Sequence, residues 1–541
     1  MYQWNIKSKY KNDKPLVDQI LLNRDIKDID TFLNPPSIST YFSNFSGDFK
    51  KSLLLSKKII LKCISKNIPI VIYGDYDSDG VNATAIIYST IKDELKYDNI
   101  SYFIPNRFTH GYGLSKNAID EILLDYKDKK VLFITVDTGI TGLEEAEYIK
   151  SLGHYLIITD HHQKSDVIPK CDALVWNEDV VGSMVSWLLS KALGSKNKYS
   201  LGLVAIATVT DLFPLLEINR SIVNSGLKIL NYKLPLGLKH LLSLAKRDKN
   251  ITTYELGWVI GPRLNAAGRM KDAGIAVELL LESGNDKSLE IAQEIHKINT
   301  TRQNKTNEMY TLSSVDEVNL PHVIVEYSDQ FHDGLIGLVA SKFVQKYYRP
   351  SLVISTEGEI GKGSARSING INIIETLRQF RDLFIDLGGH PMAAGFSIKK
   401  ENISILQKQL NDYVKNNHSK DTFLPILNID IEIPLDIVNL DTYDSLIKLE
   451  PFGNSNSEPV FCSNEVTILD LSLVGKNKDH VSFKLSFNNL TFKAIWFGAK
   501  DEVKDIAIGD SISLVYTLNK NTFNNYTTID LMVKDVKLVA N

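Results

Sequence analysis

The chain has 541 residues, 43% hydrophobic and 23% charged, with a formal net charge of −4 from 61 basic and 65 acidic residues. That length exceeds one hydrophobic core and predicts roughly three or four domains of ordinary globular composition, which excludes a fibrous or disordered chain. No apolar run approaches the ~20 residues that span a bilayer. The opening MYQWNIKSKYKNDK has no apolar signal core, and Cys63, Cys171 and Cys462 lack zinc or disulfide spacing. A cytoplasmic, reducing setting with no membrane partner and buried thiols is therefore expected. The slight acidic excess argues mildly against nucleic-acid binding, although carboxylates spent on cations still count as negative here.

Residues 1–49 read as an irregular, polar N-terminal segment with a Pro35-Pro36 break, and a helix is predicted over 50–66. An α/β alternation follows. Strands are expected at 68–74, 100–105, 131–136 and 155–159, with helices at 81–95, 114–126 and 142–153. Short β-branched strands separated by helices predict a parallel sheet covered on both faces. A helical extension covers 183–300, and the stretch 286–312 starts amphipathic and becomes polar all round, as expected of a helix connecting two domains. From 321 to 425 a second, glycine-rich α/β domain is predicted, and from 426 to 541 an all-β barrel with a hairpin turn at Asn488-Asn489. The predicted segments are thus 1–49, 50–285, 286–320, 321–425 and 426–541.

Four segments carry acidic residues or histidines just past an apolar run: GDYDSDG (74–80), ITVDTGIT (134–141), TDHH (159–162) and ATVTDLFPL (207–215). Asp75, Asp77 and Asp79 alternate, and on an extended segment would face one side and repel unless cations sit between them. Asp137 and the pair His161-His162 follow strands, and Asp211 interrupts an apolar stretch, a costly place for an unpaired carboxylate. Any one of these segments alone reads more readily as a turn or cap. A calcium loop is disfavoured because the position where it needs a Glu falls in the apolar VNATAIIYS. Together, at successive strand ends, they predict a site for two divalent ions, Mn²⁺ first and Mg²⁺ as the alternative, suited to activating water and stabilising phosphate oxygens.

With these motifs the chain resembles the DHH phosphoesterase superfamily and, within it, the RecJ family of single-stranded-DNA-specific 5′→3′ exonucleases. The resemblance covers nearly the whole chain. GPRLNAAGRM (261–270) is its most specific segment, and HDGLIGLVASK, GKGSARS and LGGHPMAAGFS match the DHH-associated domain. LEPFGNSNSEPVF (449–461) leads into what matches an OB-fold nucleic-acid-binding barrel. The resemblance implies two α/β domains joined by a long helix, plus the barrel. It implies Asp77, Asp79, Asp137, His161 and Asp211 as metal ligands, Asp75 and Asp160 as ligand or supporting carboxylates, and His162 at the scissile phosphate. Arg107, Arg269, Ser364 and Arg366 match phosphate-binding positions, and Asn265, His332 and His390 match polar positions facing the substrate. An arginine outside such glycine-flanked motifs would more often be a surface ion pair. His110 and His154 match no functional position and are expected to be structural.

The implied activity is hydrolysis of single-stranded DNA to 5′-mononucleotides in repair and recombination, with a helicase and a single-strand-binding protein as partners. The alternative is a superfamily phosphodiesterase acting on short oligonucleotides or cyclic dinucleotides. A degenerate, non-catalytic scaffold would have lost metal ligands, and none is lost. The departures are Ser78 beside the ligands, Phe331 before His332, Leu387 and Pro391 around GGH, and the loosened NSNSEP turn. The barrel aromatics Phe483, Phe487, Phe492, Trp496 and Phe497 are read mainly as core.

Overall fold

The computed structural model describes residues 2–127, 129–247, 250–524 and 526–539. Contacts divide them into two compact units: residues 35–312 with 453–456, and the remainder.

The first unit is built on five parallel strands in the order Ile100–Phe103, Ile70–Gly74, Leu132–Val136, Tyr155–Asp160, Ala173–Trp176. Ile70–Gly74 and Leu132–Val136 are buried at every residue, because helices cover both faces. Phe49, Ile60, Ile86 and Met184 fill one side, and Ala118, Ile119, Ala146 and Ile149 fill the other. The edge strand Ala173–Trp176 has only four residues, too short to stand out as a periodic run in the sequence.

Two expectations about the acidic segments fail. Asp75, Asp77 and Asp79 do not alternate along an extended segment, because the helix Ser78–Ser89 begins inside the motif. The Asp77 carboxylate caps it, accepting from Asp79 N at 2.9 Å and Gly80 N at 3.1 Å. Asp211 ends a helix, Ser200–Thr210, rather than a strand. That helix is apolar nearly all round, so a short window of it carries no period that separates it from a buried strand. The connecting helix runs from Asn285 to Thr311, close to its predicted span.

In the second unit, a five-stranded sheet has the order Phe384–His390, Ala393–Lys399, Ile360–Arg366, Ser351–Ser355, Ile324–Ser328. Only the last pair is parallel. The glycine-rich GKGSAR is therefore a ladder-bonded strand and not a loop of free N–H groups. Its glycine at 363 is demanded by packing, since a Cβ there would lie 2.1 Å from the Phe396 ring.

The C-terminal strands Phe461–Val474, His480–Phe487, Leu490–Trp496, Tyr526–Leu538 and Ser511–Phe523 close into a barrel through pairing of the first with the last. Phe483, Phe492 and Trp496 point into its core. Asn488 and Asn489 take φ of 47° and 64°, as the predicted tight hairpin requires. The N-terminal segment is not irregular. Gln3–Ile6 pairs in parallel with Ile426–Ile429, a partner more than 400 residues away that no local pattern announces.

No helix among the described residues is long and apolar enough to cross a membrane.

Candidate metal centre

The carboxyl ends of three parallel strands, joined by the end of the helix Ser200–Thr210, deliver the acidic segments to one place, as open parallel sheets do. Three overlapping groups have ligand atoms within 4.8 Å of one another: Asp75, Asp77 and Asp137; Asp79, His161 and Asp211; and Asp137, Asp160, His161 and His162. His161 Nε2 lies 3.0 Å from Asp137 Oδ1, 3.6 Å from Asp79 Oδ2 and 3.9 Å from Asp211 Oδ2. Thus all five expected ligands converge, together with Asp75, Asp160 and His162.

Asp137 is wholly buried, and among the described residues its carboxylate oxygens accept no hydrogen bond, the His161 ring being the imidazole set against Oδ1. Its backbone has φ of 61°, and its N–H is bonded to Thr159 O at 3.0 Å. Gly182 lies directly against it, since a Cβ there would fall 2.4 Å from Asp137 Oδ1. Asp79 is held by Gly182 N at 2.7 Å and Ser183 N at 2.8 Å, at the start of the helix Gly182–Leu193.

Burial and neighbouring carboxylates push these acids up. Asp75 and Asp211 rise to about 8, and Asp77 and Asp137 are raised as well. In each case burial is the larger cause and Asp77 or Asp79 the next. Such a set is unfavourable as bare anions and favourable around cations. The mixed carboxylate–imidazole donors suit Mn²⁺ or Mg²⁺.

Asp160 is different, because its oxygens are already engaged. They accept from Ile140 N, His161 N, His162 N and His162 Nδ1 at 2.7–3.1 Å. Burial opposes its ionisation, but these bonds hold it below the usual carboxylate range. For His162, burial works against the charged form, yet Asp160 raises it to about 9. His162 Nε2 faces Tyr112 Oη at 3.0 Å.

Arg107, Asn265 and Arg269 join this unit's site. Asn265 Oδ1 accepts from Ser78 N at 2.7 Å, and Gly268 lets its helix press on Tyr76 O, where a Cβ would approach to 2.5 Å. The Arg107 guanidinium lies 5.6 Å over the Tyr76 ring. Burial, then the charges of Arg107 and Arg302, lowers Arg269 to about 10. Sequence reasoning passed over Arg302, because it sits in the polar connecting helix with no glycine motif to mark it. Its Nε is buried without a hydrogen-bond partner among the described residues. Tyr76 and Tyr112 were missed as well, though Tyr76 lies inside GDYDSDG and Tyr112 only five residues beyond Arg107.

The other four expected residues belong to the second unit. Arg366 Nη1 donates to Ser364 Oγ at 3.0 Å and Ala365 O at 2.8 Å, and a Cβ on Gly337 would meet both side chains. Ala393 pairs with both Arg366 and His390, which places these two in one row across the sheet. His332 Nδ1 accepts from Gly334 N at 3.1 Å, in the turn before the helix Ile336–Tyr347. His110 and His154 are structural as expected. His110 links Asn106 N to Glu121, and His154 accepts from Val131 N.

A parallel sheet whose carboxyl ends converge on an Asp/His cluster containing a DHH turn is the construction of a DHH phosphoesterase. The family model for the DHH family N-terminal domain matches residues 69–208, the DHHA1 domain matches 320–416, and the RecJ OB domain matches 429–535. The single-stranded-DNA-specific exonuclease RecJ of Bacillus subtilis is 33% identical over 542 residues, covering 96% of this chain and 68% of that protein. RecJ of Haemophilus influenzae is 30% identical over 505 residues, covering 86% and 87%. The crystal structure of RecJ in complex with Mn²⁺ from Thermus thermophilus has the same fold, with a TM-score of 0.83 at 23% identity, covering 100% and 80%. A further structure, exonuclease RecJ bound to manganese, gives a TM-score of 0.59 at 29% identity, covering 68% of this chain and 95% of that one. The chain belongs to the RecJ family.

Proposed function

We propose that this protein is a metal-dependent, single-stranded-DNA-specific exonuclease that hydrolyses strands in the 5′→3′ direction to 5′-mononucleotides. The observation that carries the chemistry is Asp137, a buried carboxylate 3.0 Å from His161 Nε2 and gathered with five further acidic residues. Asp77, Asp79, Asp137, His161 and Asp211 hold two ions, Mn²⁺ or Mg²⁺. Asp75 completes the cluster, and Asp160 fixes the DHH turn. Bound ions supply Lewis-acid charge to the attacking water and to the phosphate.

The chain's own residues do the rest. His162, clamped through Nδ1, presents Nε2 to a phosphate oxygen. Arg107 and Arg269, with Arg302 beside them, receive backbone phosphates, since a buried Arg269 whose basicity is lowered further by the charges of Arg107 and Arg302 calls for a polyanion. Asn265 offers its amide N–H₂ to the strand. His332, Ser364, Arg366 and His390 form the phosphate grip of the second unit, and the barrel binds the strand further on. The functional segments are 1–49, 50–285, 286–320, 321–425 and 426–541. The enzyme works in the cytoplasm, where a helicase and a single-strand-binding protein deliver its substrate for repair and recombination.

The test is a Mn²⁺ time course on one oligonucleotide labelled at either end. The expected result is immediate release of the 5′ label as mononucleotide and stepwise shortening of the 3′-labelled strand, with flush duplex resistant. Release of the 3′ label first would contradict the polarity. Cleavage of dinucleotides with long strands untouched would favour the short-substrate phosphodiesterase.

A further inference from the structure

Tyr112 stands at the mouth of the metal centre, in a loop that the sequence flanks with glycines. Gly111 and Gly113 have φ of 81° and 80°, a left-handed backbone that side-chain-bearing residues rarely adopt. The loop is pinned by Tyr73, whose hydroxyl donates to Gly113 O at 2.9 Å. Tyr73 is fully buried and lies two residues before Asp75, so one strand sets the positions of both the loop and the first carboxylates. The Tyr112 ring meets Tyr76 and His162 edge-on, each at 6.2 Å between centroids. Although the residue is 57% exposed, its hydroxyl is turned inward onto His162 Nε2, at 3.0 Å. His162 cannot turn away, because Asp160 holds its Nδ1 at 2.8 Å and its N–H at 3.1 Å.

Two polar atoms 3.0 Å apart, one of them on a histidine that groups with Asp137 and Asp160, can meet one oxygen at ordinary hydrogen-bond length from each. A hydroxyl proton rotates about its C–O bond, so Tyr112 can aim its donor at an arriving oxygen without moving the ring. We propose that Tyr112 is a catalytic residue, whose hydroxyl donates together with His162 to a non-bridging oxygen of the scissile phosphate. The proposal rests on the phosphodiesterase reading above. It asks of Tyr112 a direct contact that strengthens as charge builds on phosphorus, and not merely support of the imidazole.

The test is a double-mutant cycle of Tyr112→Phe and His162→Ala, with Mn²⁺ on a single-stranded oligonucleotide, alongside strand affinity in EDTA and melting temperature. Tyr112→Phe should lower kcat by about tenfold to a hundredfold, the usual worth of one donor to a charged oxygen. KM, affinity and melting temperature should stay at wild-type values. The same loss should persist in the His162→Ala background. A loss that vanishes there would make Tyr112 a prop for His162 and overturn the proposal. An unimpaired Tyr112→Phe, or a change in KM alone, would overturn it too. A wild type without nuclease activity would instead refute the reading on which it rests.

Discussion

Asp137→Asn removes at least about 10³-fold of the nuclease activity at saturating Mn²⁺ and, in the same variant, stabilises the metal-free protein at pH 8. Both effects follow from one observation: the Asp137 carboxylate is buried, accepts no hydrogen bond among the described residues, and is pushed up by burial and by Asp79, Asp77 and Asp75. With ions bound, it supplies charge that an amide cannot, and losing several kcal/mol of transition-state stabilisation costs about a factor of ten for each 1.4 kcal/mol. Without ions, the same charge is a liability. The isosteric amide keeps the side-chain shape next to Gly182, where there is no room for added atoms. Turnover and a melting curve in EDTA check the two halves separately. A variant that lost activity and also melted lower than wild type without metal would show Asp137 to be mainly structural.

The metal-free protein loses stability as pH rises from about 4 to about 8, and Mn²⁺ restores it. Asp75 and Asp211 titrate near 8 in the fold, from an ordinary value of 3.8. Between those values the folded state keeps protons that the unfolded chain has released, so stability falls as pH rises. His162 acts in the same direction. Its folded value near 9 exceeds the ordinary 6.5, so its contribution is whole below 6.5 and is lost as pH climbs through 9. Asp160, held low, weakens the fold only at pH below its ordinary 3.8. Ions that bind the deprotonated cluster raise the melting temperature by mass action, and more at pH 8 than at pH 5.5. Melting curves in EDTA and in Mn²⁺ at both pH values measure this. A pH-independent melting temperature in EDTA would contradict the electrostatic account.

How much of this was legible beforehand depended on the range of the interaction. Asp77, Asp79, Asp137, His161 and Asp211 could be picked out because each sits in a short local motif that the family resemblance marks, and a parallel sheet brings the first four together at its strand ends, with Asp211 joining from a helix end. The helix Asn285–Thr311 and the Asn488-Asn489 hairpin were legible for the same reason, since period and turn chemistry are local signals. What failed was nonlocal or ambiguous over a few residues. Asp77 caps a helix that starts three residues earlier than its apolar period suggests. Ser200–Thr210 is apolar on all sides and so resembles a strand. The glycines of GKGSAR serve a β ladder and the Phe396 ring, a pairing that composition does not reveal. Arg302 and Tyr112 acquire meaning only from neighbours brought up by folding: Arg269 and Arg107 for the one, His162 for the other.

The central claim is that five carboxylate and imidazole ligands here enclose two cations. Anomalous scattering at the manganese edge, from crystals soaked in Mn²⁺, tests it most directly. Two peaks about 4 Å apart are predicted, bracketed by Asp77, Asp79, Asp137, His161 and Asp211. A single peak, or peaks outside this cluster, would contradict it.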